Sequence, residues 1–132
     1  MALFHTINSL AGHVFEGQFN VTFNLASSVV IGDVGKPVTL DTTTGNTVKV
    51  AGDGDVIFGR LETFEDRQTG KVGAVAFKFI QNFPVKSGDL LAVGDTAVGS
   101  TVSGEIKKAG ANNHSQNFVV AIASGVATLA KV

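Results

Sequence analysis

Between Phe15 and Leu25 the chain alternates without interruption. Phe15, Gly17, Phe19, Val21, Phe23 and Leu25 hold the odd positions, and Glu16, Gln18, Asn20, Thr22 and Asn24 hold the even ones. A two-residue period puts every large apolar side chain of this stretch on one face of an extended strand, whereas a helix would scatter them around its circumference. The pattern therefore predicts a strand with one buried face. Two placements suit it: an edge strand of the domain's own sheet, or an arm that adds to a neighbouring chain. Main-chain hydrogen bonds and alternate side-chain pockets make such strand addition effective. Residues 1–14 are apolar without a period; they read as a tail or as an arm that orders on a partner.

From Val29 onward, short β-prone runs are separated by glycine turns at the spacing, roughly 8–12 residues, that marks sandwiches and barrels. Val29-Val30-Ile31 ends at Gly32-Asp33, and Lys36-Pro37 leads into Val38-Thr39-Leu40. Asp41 to Asn46 is a polar turn from which Thr47 to Val50 returns. At the centre, Gly52-Asp53-Gly54-Asp55 opens a hairpin whose first run reaches Glu65. The polar stretch Asp66 to Gly70 turns it, and Lys71 to Ile80 is the return strand. Asn82 to Asp89 reads as a bend, where Pro84 argues against a central strand. Leu90 to Val93, Ala97-Val98 and Val102 to Lys107 are further short runs. Ala109 to Asn117 is the longest breaker run, an expected exposed loop. Phe118 to Ala123 and Val126 to Val132 make a closing hairpin about Ser124-Gly125. Helical periodicity is confined to short pieces around Asn8–Ala11 or Ala26–Val30. The expected fold is all-β: a small antiparallel β-barrel or sandwich of short strands with an extended N-terminal arm. The arm and edge strand take residues 1–28, and the β-domain takes 29–132.

Gly-Asp recurs at 32–33, 54–55, 88–89 and 94–95, and Ile31 to Val38 echoes Leu91 to Val98. Repeated turn chemistry accounts for this, because glycine tolerates positive φ and aspartate bonds nearby backbone. A duplicated half-barrel is the other reading.

Composition narrows the function. At 132 residues the chain makes about one domain, and its 44% hydrophobic content is enough for a core. Only 16% of residues are charged, against a usual ~25%, and the net charge is −1. Such a surface has no electrostatic reason to hold nucleic acid or an anionic membrane. A net charge near zero favours association instead. With no cysteine there is neither a disulfide framework nor thiolate chemistry. Residues 1–10 contain no Lys or Arg, and no apolar run approaches the ~18 residues of a membrane span. A protein made and used without a membrane step is expected.

Catalytic chemistry finds little support. His5, His13 and His114 are the three histidines, none with a positioned carboxylate or further ligands specified. His114-Ser115 reads as a surface-loop pair. Asp53-Gly54-Asp55 opens like a calcium loop but lacks the later acidic positions and closing glutamate. No phosphate-binding glycine loop of the Gly-x-x-x-x-Gly-Lys-Ser/Thr type occurs. Ten phenylalanines without Trp or Tyr read as core and interface. No enzyme, cofactor or metal is expected.

Gly35-Lys36-Pro37-Val38-Thr39-Leu40, followed by Thr47 to Glu62 with its Ala51-Gly52-Asp53-Gly54-Asp55 turn, resembles the capsid decoration (cement) proteins of tailed bacteriophages. Val93-Gly94-Asp95-Thr96-Ala97-Val98, the Asn112-Asn113-His114 loop and the closing hairpin extend the likeness over roughly residues 29–132. The shared units are turn-and-strand phrases, not catalytic signatures. The resemblance implies a structural protein on the outer surface of a phage head, made in the host cytoplasm. Its partners would be the major capsid protein and further copies of itself, a trimer ahead of a dimer. The contact residues expected from the Phe-rich segment, whose one acidic or basic residue before Asp33 is Glu16, are Phe4, Phe15, Phe19, Phe23 and Leu25, some of which would fill the core instead. The alternatives are another virion or surface interaction module, such as a tail or baseplate domain, and a small-molecule-binding barrel.

Overall fold

The computed structural model describes residues 19–111 and 116–132. Among the described residues ten strands run in chain order: β1 (Phe19–Leu25), β2 (Pro37–Leu40), β3 (Thr47–Val50), β4 (Gly59–Leu61), β5 (Glu65–Arg67), β6 (Gly70–Pro84), β7 (Ala97–Gly99), β8 (Ile106–Lys108), β9 (Asn117–Ala123) and β10 (Val126–Lys131). The fold is all-β, and its first half is a closed five-stranded barrel ordered β1-β3-β2-β4-β6 and back to β1. Most of the pairings are antiparallel; β1 meets β3 in parallel at Asn24 and Leu25. β1 thus pairs within its own chain and closes the barrel. Residues 19–25, grouped with the arm on sequence pattern, belong to the barrel.

The barrel is filled by side chains. Leu25, Val29, Val38, Val48, Leu61 and Val75 are buried together, with Phe23, Ala26, Phe58 and Phe64 packed against them. β-branched and aromatic residues suit this pleated, inward-facing surface. Val29 is anchored here although Val29-Val30-Ile31 forms no strand. The chain turns instead, and Ile31–Asp33 is a single 3-10 turn. Lys71 Nζ clamps that corner, donating to the Ser27 and Val29 carbonyls at 2.7 Å each.

β6 holds the molecule together. It is 15 residues long and continues through Asn82 to end on Pro84. The expected bend therefore starts later, and the proline sits where its missing N–H costs least. Opposite β1, Phe19 pairs with Lys78 but Asn20 with Ala76, so Phe77 is an extra residue on β6. This bulge reverses the alternation. Val75 fills the barrel, while Phe79 and Phe83, also odd-numbered, fill a second core with Ile57, Ala76, Leu91, Ala97, Ile106, Val119, Ala127 and Leu129. An uninterrupted strand would have sent all three to one side.

The second core lies under β6, β10 and β9, which pair in that order. β9 is joined onward to Gly94 and Asp95 through both backbone groups of Val119 (2.8 and 2.9 Å). β7 pairs with β8, and Ile106 of β8 bridges back to Val85 just past β6. Leu90 to Val93, expected as a short strand, instead runs into a turn at Val93-Gly94. The closing hairpin turns through Ser124 (φ 52°) and Gly125 (φ 75°), the two positive φ values of a type I′ turn, which matches strand twist.

Three Gly-Asp turns share one wiring. In each, the aspartate N–H donates to the carbonyl three residues earlier, and its carboxylate accepts that residue's N–H. The residue pairs are Val30/Asp33, Gly52/Asp55 and Ala92/Asp95, every carboxylate bond at 2.9 Å. In the fourth turn the Asp89 carboxylate reaches across to the Lys108 N–H, at 2.8 Å, and pins β8. Turn chemistry is thus sufficient to explain the repeated dipeptide.

Asp33 is the most buried of these carboxylates. Burial alone would raise its pKa. The Lys36 ammonium at 2.8 Å, the Val30 N–H and the more distant Lys71 outweigh that and hold it below the ordinary value. A depressed folded pKa contributes stability above the unfolded value, near 3.9, that is lost as pH falls through the folded one. Asp33→Asn is expected to cost about 1.5–2 kcal/mol at pH 7, the low end for hydrogen bonds to a charged group, because the amide oxygen keeps one acceptor. The gap to the parent should narrow in thermal melts as pH falls below the unfolded value and close below the folded-state pKa, where both side chains are neutral. A gap that is constant from pH 7 to pH 2 would refute the assignment.

Candidate interaction surface

The contact residues expected from sequence part company in three dimensions. Phe4 and Phe15 lie outside the described residues. Leu25 is only 6% exposed and sits opposite buried Val48, so it serves the barrel core and not a partner. Phe23 meets the edge of Phe58 at 5.4 Å and is also largely turned inward. Phe19, 54% exposed, remains available.

Phe19 is the outer end of an aromatic series. Its ring lies 5.1 Å from Phe77, which stacks on Phe58 at 6.3 Å, which in turn meets Phe23. The bulge places Phe77 in this series. Such tilted and offset pairs each add about 0.5–1.5 kcal/mol beyond burial. Lys131 closes the group, its Nζ 6.0 Å from the Phe58 centroid and donating to the Phe77 carbonyl at 2.8 Å. Burial, with the positive charge of Lys78 beside it, lowers the Lys131 pKa below the usual lysine value. The described fold begins at this aromatic end of the barrel.

Sequence pattern missed other exposed apolar side chains. Ile31 (71% exposed) stands with Val30 and Val34 around the 3-10 turn, and Leu90 (83%) and Val93 stand on the loop after β6. On β9, Phe118 (50%) and Val120 also face solvent. The continuous apolar run Phe118 to Ala123 is the one local signal for this, since a strand that is apolar at successive positions is apolar on both faces.

An open cleft of about 460 Å³ lies between the Gly54 turn, Gly88 to Leu90 and Lys107 to Gly110. Its cations are already matched: Lys107 with Asp53 at 2.5 Å, Lys108 with Asp95 at 3.6 Å. The pairing leaves little net field for an anion. Asp53 is thereby an ion-pair partner at the rim of the central turn. His5, His13 and His114 lie outside the described residues. Among the described residues, no three of His, Cys, Asp and Glu lie together as a metal site, and no helix is long and apolar enough to cross a membrane. Compared with known proteins, the chain matches no protein-family model, no curated protein and no solved structure.

Proposed function

We propose that the protein is a capsid decoration (cement) protein of a tailed bacteriophage, bound as a homo-oligomer to the outer surface of the assembled head and bridging major capsid protein subunits. The observation that carries this reading is the placement of large apolar side chains in solvent at separate turns, Ile31 and Leu90 foremost, on a lightly charged all-β domain. Exposed apolar groups rimmed by polar backbone suit stable protein contacts. A small rigid domain that binds only assembled subunits stabilises the assembly by linkage, and an oligomer multiplies that through avidity. The packed barrel interior argues against a ligand-carrying barrel. Phe4, Phe15 and Phe19 extend the proposed contact along the N-terminal segment.

Co-sedimentation of the purified protein with expanded, undecorated phage heads tests the reading. Saturable binding that raises the heads' thermal disruption temperature is expected. Leu90→Asp with Ile31→Asp, and separately deletion of residues 1–14, should each reduce occupancy. Failure to bind heads at any concentration would refute the proposal.

A further inference from the structure

One edge of β6 lies open between two occupied stretches. A strand turns its backbone groups alternately to its two edges. Before the bulge the even-numbered groups face β4, since the Ala74 carbonyl accepts from the Glu62 N–H at 2.8 Å, and the odd-numbered ones face β1. Phe77, the extra residue, exchanges the two sets. Beyond it the odd-numbered groups belong to β10, because the Val85 N–H donates to the Gly125 carbonyl at 2.8 Å in the same register. β10 thus continues the edge that β4 occupies, and Lys131 at its end reaches Phe58, just before β4. The even-numbered groups face the edge of β1. That edge is filled up to Lys78 by Phe19, and β8 takes it over where the Lys86 N–H donates to the Ile106 carbonyl at 2.9 Å. Between these points the N–H and carbonyl groups of Ile80 and Asn82 meet no strand among the described residues. Pro84, with no N–H to leave unpaired, ends the gap. Phe79 to Pro84 spans ~20 Å, room for a strand of about six residues.

We infer that residues 13–18 of the same chain fill this gap as a continuation of β1. They join β1 at Phe19, on the edge that is open. Counted back from the Phe19–Lys78 pair, Gly17 falls opposite Ile80, Phe15 opposite Asn82 and His13 opposite Pro84. The alternation from Phe15 to Leu25 runs through this stretch unbroken, so the strand signal begins four residues before Phe19. Tethering selects this occupant over a second copy or another protein. A segment one peptide bond from the edge loses no translational freedom on docking, whereas a separate chain does. Filling the gap also removes an unpaired edge, which otherwise templates pairing between chains. If the protein binds heads, the tail before residue 13 meets them from the side of the loop after β6, which bears Leu90; pairing along the edge itself needs no head.

Hydrogen exchange on the purified full chain, without heads, tests it. The Ile80 and Asn82 amides should exchange about 100-fold or more slowly than unprotected ones. Gly17→Pro removes the N–H that would face the Ile80 carbonyl. It should speed both amides by about 10-fold or more, while Phe79 and Phe83, turned to β10, stay slow. A second test uses the lack of cysteine. Glu16 falls opposite Gln81 at a non-hydrogen-bonded pair, where side chains lie closest. Glu16→Cys with Gln81→Cys should therefore close a disulfide within one chain. Glu16→Cys with Ile80→Cys, whose side chains take opposite faces, should close it about 10-fold more slowly or not at all. Ile80 and Asn82 amides that are unprotected in the parent, or that stay slow in Gly17→Pro, overturn the inference. Protection that appears only when heads are added would give the edge to a coat strand and equally overturn it. So would a disulfide that links two chains, or equal yields from the two cysteine pairs. A protein that has the protection but ignores heads would sink the decoration reading alone.

Discussion

Asn117→Leu is expected to lower the unfolding free energy by about 4 kcal/mol, because it strands two buried backbone groups at once, each worth about 1–3 kcal/mol. Asn117 is fully buried. Its Oδ1 accepts from the Ala97 N–H at 2.8 Å, and its Nδ2 donates to the Ala97 carbonyl at 3.1 Å. The side chain thus imitates a neighbouring strand and ties β9 to β7, beside the main-chain bonds of Val119. Leucine keeps the branching and heavy-atom count but its methyl ends are bulkier, so overpacking adds to the lost hydrogen bonds. Asn117→Asp keeps the acceptor but places a buried charge without a partner, and should be no milder. Urea unfolding measures the total, and hydrogen exchange should show the β7–β8 pair losing protection first. A loss under 1 kcal/mol would mean that Ala97 finds other partners, and would refute this role.

Gly73→Ala should cost about 3 kcal/mol or more, the upper range for forcing an atom into a packed core. A Cβ there would fall on the Thr63 carbonyl oxygen, with Leu61 Cδ1 and Leu25 Cδ1 at 3.0 and 3.1 Å. The carbonyl is not free to retreat. Thr63 Oγ1 accepts from the Ala74 N–H at 2.8 Å, and the Glu62 N–H donates to the Ala74 carbonyl at 2.8 Å. The site is where the chain passes from β4 to β5 alongside β6, and only hydrogen lets the backbones approach so closely. Gly45→Ala is the control. Nothing lies within 4 Å of its added carbon and its φ is unremarkable, so it should stay within about 0.5 kcal/mol of the parent. Equal midpoints for the two variants in thermal melts would contradict the close-approach explanation.

Both effects arise at residues whose importance no local pattern announces. Asn117 sits at the end of a breaker run and reads as loop; only the approach of β7 makes it a buried bridge. Gly73 looks like one glycine among several in β-prone sequence. Leu25 shows the converse case. Its parity with Phe19 was legible, but which of the two meets solvent depends on where β3 comes alongside, and β3 covers only the far end of β1. Exposed Ile31 and Leu90 look apolar in sequence, and their turns leave them uncovered by anything in the described fold.

What the chain determines locally is substantial. Two-residue alternation marks β1, β-branched runs mark β2 and β3, and Gly-Asp and Ser-Gly mark turns, because pleat and turn geometry depend only on neighbouring residues. The all-β class and the hairpin order follow from those signals. Tertiary structure alone decided the rest: the ring closure of β1 onto β6, the Phe77 bulge that carries one strand from one core to another, and the burial of Asn117 between β9 and β7. Each depends on the register between strands distant in sequence, and a one-residue change of register exchanges the buried and exposed faces of everything beyond it.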